Sequence, residues 1–129
     1  IAGDLHQPMH TGHLGDQGGN KIQLTWFGQN TNLHRVWDSD LVGAKELSYT
    51  EYSNSINVIN RVGLRSLQRE GPAKWVTDSY QISEKIYANI KPGDKLSYRY
   101  IYDNQSIADQ QLLKGGVHLA GLLNDIFSN

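Results

Sequence analysis

The chain has 129 residues, a formal net charge of -1, 38% hydrophobic residues and no cysteine. That length fits one domain with a modest core, and the near-neutral charge lacks the basic footprint of a duplex-coating protein. No apolar run approaches the roughly 18 residues of a membrane span. Without cysteine there is no disulfide frame and no thiol nucleophile, so any metal must be held by nitrogen and oxygen.

Ile1, Leu5 and Met9 recur at helical spacing, so residues 1–10 read as the last turns of a helix, with Pro8 kinking or ending it. The register reads as one that began upstream, and the expectation is a fragment of a larger domain. Residues 11–20 are a loop on glycine content. Residues 21–27 alternate polar and apolar as a short half-buried strand, ended by Gly28-Gln29-Asn30. Thr31 or Asn32 can cap a helix that carries Leu33, Val36, Trp37 and Leu41 on one side and stops near Gly43.

A second long helix is expected over 48–69, opened by Ser48 with Glu51 in a capping-box spacing and carrying Tyr52, Ile56, Ile59 and Leu67. Gly71-Pro72 breaks it. The helix over 73–90 shows a stripe at Val76, Tyr80, Ser83, Tyr87 and Ile90, seconded by Trp75, Ile82 and Ile86. Lys91-Pro92-Gly93-Asp94 is a turn. The last helix covers 106–127 with Ala108, Leu112, Gly115, Leu119, Leu122, Leu123 and Ile126 inward. Gly115-Gly116 inside it costs about 1 kcal/mol each relative to alanine, which implies close packing against another element. The sum is a mostly α, single-domain helical bundle with a short strand or β-hairpin near residues 21–28.

Four of the five histidines (His6, His10, His13 and His34) fall in the first forty residues, among Asp4, Asp16, Asp38 and Asp40. His34 and Asp38 are four apart on a helix, close enough for both to reach one ion, and His10 can supply a third donor. Two imidazoles and a carboxylate make a metal site with a position left for water, as catalytic zinc requires. The plainer alternative is a surface His–Asp pair worth a few tenths of a kcal/mol. Asp4 lies six residues before His10, on a different side of any unbroken helix. His6 suits an orienting or core role, His13 an idle one in the loop, and His118 and Trp37 structural ones. The chain holds no Gly-x-Ser-x-Gly elbow, phosphate-cradling Gly-Lys-Ser/Thr loop or dinucleotide fingerprint.

Gly3-Asp4-Leu5-His6-Gln7-Pro8-Met9-His10, Asp16-Gln17-Gly18-Gly19-Asn20 and Thr31-Asn32-Leu33-His34-Arg35-Val36-Trp37-Asp38 together resemble the zinc-dependent single-strand nuclease and 3′-nucleotidase family. The tail from Gln111 to Asn124 resembles that family's closing helix. The resemblance implies a helical fold shared with zinc phospholipase C and a cluster of three zinc ions. Asp4 matches a carboxylate bridging two of them, and His10, His34 and Asp38 match the protein ligands of the third. His6 matches a position that is not a ligand. It further implies hydrolysis of single-stranded DNA and RNA and of 3′-nucleotides by metal-activated water, with Asp4 the one residue given a catalytic role, positioning metals. Secretion or periplasmic export and no membrane partner are implied as well. Further zinc ligands expected ahead of Ile1 are not in this sequence, so the resemblance makes the chain a C-terminal portion, inactive alone or needing the N-terminal half. A zinc phospholipase C-type phosphodiesterase and a non-catalytic helical zinc-binding module are the competing readings.

Overall fold

The computed structural model describes residues 1–128. The chain opens with three short 3₁₀ turns, Asp4–His6, Pro8–Thr11 and Leu14–Asp16. Residues 1–10 are therefore not the end of an α-helix. Gln7 is extended, and Pro8 starts a new turn at its first position, where a missing N–H costs nothing.

Strands β1 (Gln23–Trp26) and β2 (Gln29–Asn32) form an antiparallel hairpin with Leu24 opposite Thr31. Phe27 and Gly28 at its tip both have positive φ, as a two-residue turn matching strand twist demands. The expected strand is thus half of the hairpin. A third strand, β3 (Lys95–Leu96), runs parallel to β1 and was not foreseen. Two residues are too few for a periodicity to show.

Asn32 caps the next helix, its Oδ1 accepting from Arg35 N–H at 2.9 Å. That helix is one continuous run of α1 (Leu33–Arg35), a π turn (Val36–Asp40) and α2 (Leu41–Gly43). Leu33, Val36, Trp37 and Leu41 are all buried, as their spacing predicts, and they form the core with Met9, Leu24, Ile86, Leu96 and Ala108.

The long helix expected over 48–69 is two helices, α3 (Tyr49–Ile56) and α4 (Arg61–Gln68). Ser48 and Glu51 do form the capping box. The break falls at 57–60, where Asn60 turns its side chain onto Gly63 N–H at 2.8 Å and caps a new helix. Helix α5 (Pro72–Ala88) buries Trp75, Ser79, Ser83 and Ile86, whereas Val76 and Tyr80 face outward. The inward stripe is rotated from the apolar one because the first two 3₁₀ turns lie against this face. Ser79 and Ser83 let them approach closely, and Ser79 Oγ donates to Leu5 O at 2.6 Å.

Helix α6 (Tyr98–Phe127) begins two turns earlier than expected, since Tyr100 and Ile101 pack on the core and Trp37 Nε1 donates to Tyr100 Oη at 2.9 Å. Its buried positions are Ala108, Gln111, Gly115, Val117 and His118. Leu112, Leu119, Leu122, Leu123 and Ile126, expected inward, are 40% to 65% exposed. The helix docks through its small and polar side, so its leucine face is left outward. Gly115 faces His6, and a Cβ there would make an ordinary contact at 3.5 Å. Nothing lies near Gly116.

Candidate metal centre

The second 3₁₀ turn presents His10, and the helix that starts at Leu33 presents His34 and Asp38. Gln7 locks the two together. Its Oε1 accepts from Met9 N–H at 2.5 Å, capping the turn, while its Nε2 donates to Asp38 Oδ1. The π turn, closed by Leu41 N–H bonding to Val36 O, widens the helix at Asp38, a feature often found at functional sites.

Both imidazoles have one nitrogen committed. His34 Nδ1 donates to Gly18 O at 2.9 Å, and His10 Nδ1 donates to Asp4 Oδ1 at 2.5 Å. A carbonyl or carboxylate can only accept, so each Nδ1 carries a proton, and in the neutral ring each Nε2 offers a lone pair. Those Nε2 atoms face Asp38, at 3.1 Å from Oδ2 for His34 and 3.3 Å from Oδ1 for His10. The rings stack at 5.1 Å between centroids, and one ligand atom from each of the three residues lies within 4.8 Å of the others. Acceptors gathered this closely repel unless a proton or a metal cation lies between them. The N₂O donor set suits zinc or a similar divalent ion, and each histidine has the orienting partner that metal-bound imidazoles usually have.

The carbonyl that fixes His34 needs glycine. Gly18 has φ +62°, and a Cβ on it would lie 2.5 Å from Met9 O. Asp16 Oδ1 holds the neighbouring Gly19 N–H at 2.7 Å.

Of the residues singled out from the sequence, His10, His34 and Asp38 come together. Asp4 does not join their convergent atoms; it sits on the far nitrogen of His10, with its side chain 63% exposed. His6 is buried away from the cluster, Nδ1 donating to Ala2 O at 2.6 Å and Nε2 2.7 Å from His118 Nδ1. Burial first, and His6 second, push the His118 pKa down. His13 is not idle: it stacks on Tyr87 at 4.0 Å and meets Glu84 Oε1 at 2.7 Å. Gln7 and the Gly18 carbonyl were missed. The only sequence signal for Gln7 was its place before Pro8 at a turn start, and a carbonyl carries none.

Beside the cluster lies a half-open cleft of about 490 Å³, lined by Asp4, His10 and Asp38 at one end and by Trp37, Val42, Leu112 and Leu119 along its walls. The outward leucine face of α6 supplies part of that wall.

The family model described as S1/P1 Nuclease matches residues 1–128. The chain belongs to the S1/P1 nuclease family. Its S1/P1 relatives include Endonuclease 3 of Arabidopsis thaliana, 35% identical over 98% of this chain and 48% of that protein. Nuclease S1 of Aspergillus oryzae is 30% identical over 99% of this chain and 52% of its own length. Nuclease P1 of Penicillium citrinum is 29% identical over 96% and 54%. The chain thus spans about half the length of these S1/P1 relatives. Among the described residues no helix is long and apolar enough to cross a membrane.

Proposed function

We propose that this chain carries part of the active site of a zinc-dependent nuclease that hydrolyses phosphodiester bonds in single-stranded DNA and RNA and acts on 3′-nucleotides. The observation that supports it most is the convergence of His10 Nε2, His34 Nε2 and Asp38 on one point, with both Nδ1 atoms already committed. The relatives' names, endonucleases and nucleases, point to the same substrate class.

On this reading His10, His34 and Asp38 would hold one ion, while Asp4 orients His10 and its carboxylate would be available to a further one. A bound divalent cation supplies Lewis acidity toward a phosphoryl oxygen and acidifies water at neutral pH. The protein's own part is to aim the donors. Gly18 O and Asp4 hold the Nδ1 protons, Gln7 steadies Asp38, and the apolar cleft walls limit water around the site. Four candidate ligands are too few for three ions, so a three-zinc cluster would draw further donors from outside these 129 residues. The same reading places the protein outside the cytoplasm, secreted or periplasmic.

The test is a zinc titration by calorimetry together with cleavage of single-stranded DNA, single-stranded RNA, a 3′-nucleotide and phosphatidylcholine. Zinc binding by this chain, with cleavage of the nucleic acids once the further donors are supplied by the N-terminal half of the domain, supports the proposal. Cleavage of phosphatidylcholine alone would replace it with a phospholipase, and an absence of metal binding would replace it with a plain helical module. Turnover by the isolated 129-residue chain would refute the part that calls for outside donors.

A further inference from the structure

Tyr87 was read in the sequence as part of an apolar stripe, yet its hydroxyl is the point on which the glycine loop hangs. It lies in α5, 71 positions beyond Asp16. The Tyr87 hydroxyl accepts from His13 N–H at 3.2 Å and donates to Asp16 Oδ1 at 2.9 Å. His13 O then accepts from Gly18 N–H at 2.9 Å, and Gly18 O accepts from His34 Nδ1–H at 2.9 Å. Three successive hydrogen bonds therefore run from α5 to an imidazole of the metal cluster. A parallel route passes through Asp16 to Gly19 N–H.

The contact is close-fitted rather than incidental. The His13 ring lies on the Tyr87 ring at 4.0 Å and 3°, and its far nitrogen meets Glu84 Oε1 at 2.7 Å. A Cβ on Gly12 would come within 2.8 Å of the Tyr87 hydroxyl, so the loop backbone presses directly on that oxygen. Burial above all, helped by the Asp16 carboxylate, pushes the Tyr87 pKa up to about 12, which keeps the hydroxyl a donor across the physiological range.

We propose that Tyr87 is a positioning residue for His34: with His13 and Asp16 it buckles the 12–20 loop to α5, so that the Gly18 carbonyl holds the His34 ring with Nε2 turned toward Asp38 and His10. This rests on the reading above that His34 binds a metal ion. Tyr87 touches neither ion nor substrate. It acts through the loop, selecting one tautomer and one ring orientation by way of the Gly18 carbonyl, and a partner bonded directly to a ligating imidazole, as that carbonyl is, typically governs metal affinity by about 10–100-fold.

Tyr87→Phe tests it, because the ring, its stacking with His13 and its packing remain while the hydroxyl is lost. Zinc affinity is measured by calorimetry on the purified protein, and the His34 tautomer is read from imidazole nitrogen NMR shifts in the metal-free protein. The expected result is a zinc affinity lower by about tenfold, a mixed His34 tautomer in place of a single Nδ1–H form, and a melting temperature changed by only a few degrees. Asp16→Asn, which keeps an acceptor oxygen, is expected to retain most of the affinity. Unchanged affinity with an unchanged tautomer would overturn the inference while leaving the metal reading intact. Loss of stability with an unchanged tautomer would also overturn it, by making Tyr87 merely structural. If the parent protein binds no zinc, the metal reading fails, and the tautomer comparison still decides whether Tyr87 sets the ring.

Discussion

The turn that carries Asp4 is fastened to the helices by a buried polar ladder, and cutting one rung has a calculable consequence. Ser79 Oγ donates to Leu5 O at 2.6 Å and accepts from Gln111 Nε2 at 3.1 Å; the same amide donates to His6 O at 2.9 Å. Ser79 is fully buried and Gln111 nearly so. Ser79→Ala leaves the Leu5 carbonyl unpaired in the interior, which costs about 1–3 kcal/mol. Gln111→Met, similar in length, leaves the His6 carbonyl unpaired at about the same cost. Each variant also breaks the bond between the two side chains, so the double variant counts that bond once. Its loss should fall short of the summed single losses by roughly 1 kcal/mol. Urea unfolding followed by tryptophan fluorescence, with a chelator present so that bound ions add nothing, measures all four proteins at constant slope. Strict additivity, or single losses below about 0.5 kcal/mol, would show that water already satisfies those carbonyls and that the ladder does not fasten the turn.

Other expectations concern the site and its frame. Asp38→Asn should weaken zinc binding by more than about 100-fold, beyond the range for disturbing an orienting partner, as calorimetry would show. Gly18→Ala forces a side chain into positive φ and toward Met9 O, so it should cost at least about 1–2 kcal/mol and lower zinc affinity together, read by urea unfolding and the same titration. Leu33→Ala, at a fully buried position, should cost about 2–5 kcal/mol, read from the fall in the urea midpoint at constant slope. Asp109 joins α6 to Lys45 and to Tyr52 of α3 at 2.7 and 2.6 Å. Burial acts to raise its pKa, but the bonds from Lys45, Tyr52 and Gln105 outweigh it and hold the group below 3.8. The unfolded state therefore binds the proton first, so this contribution is present above the unfolded value and is lost as pH falls through the folded one. The fall in melting temperature between about pH 5 and pH 3 should be shallower in Asp109→Asn.

Local chemistry was legible wherever it decided the outcome alone. The Asn32 cap, the Ser48–Glu51 box, the Gly93 turn and the stripe of Leu33, Val36, Trp37 and Leu41 all follow from neighbours within one or two turns. The pairing of His34 with Asp38 belongs to the same class, and His10 was within reach of it.

What the chain could not announce is which face meets which. Apolar spacing placed the leucines of α6 and Val76 and Tyr80 of α5 inward. The structure buries Ser79, Gln111 and His118 in their place, beside the expected Ser83 and Gly115, because the 3₁₀ turns approach closely and their carbonyls need donors. The sequence by itself determined the donor set of the candidate metal centre and the family it resembles, since both reside in residue identity and short spacing. Tertiary structure alone decided how the donors are aimed. The Gly18 carbonyl settles which nitrogen of His34 is free, Gln7 steadies Asp38, and the distant Tyr87 hydroxyl holds the loop backbone at His13, contacts that no side-chain pattern encodes.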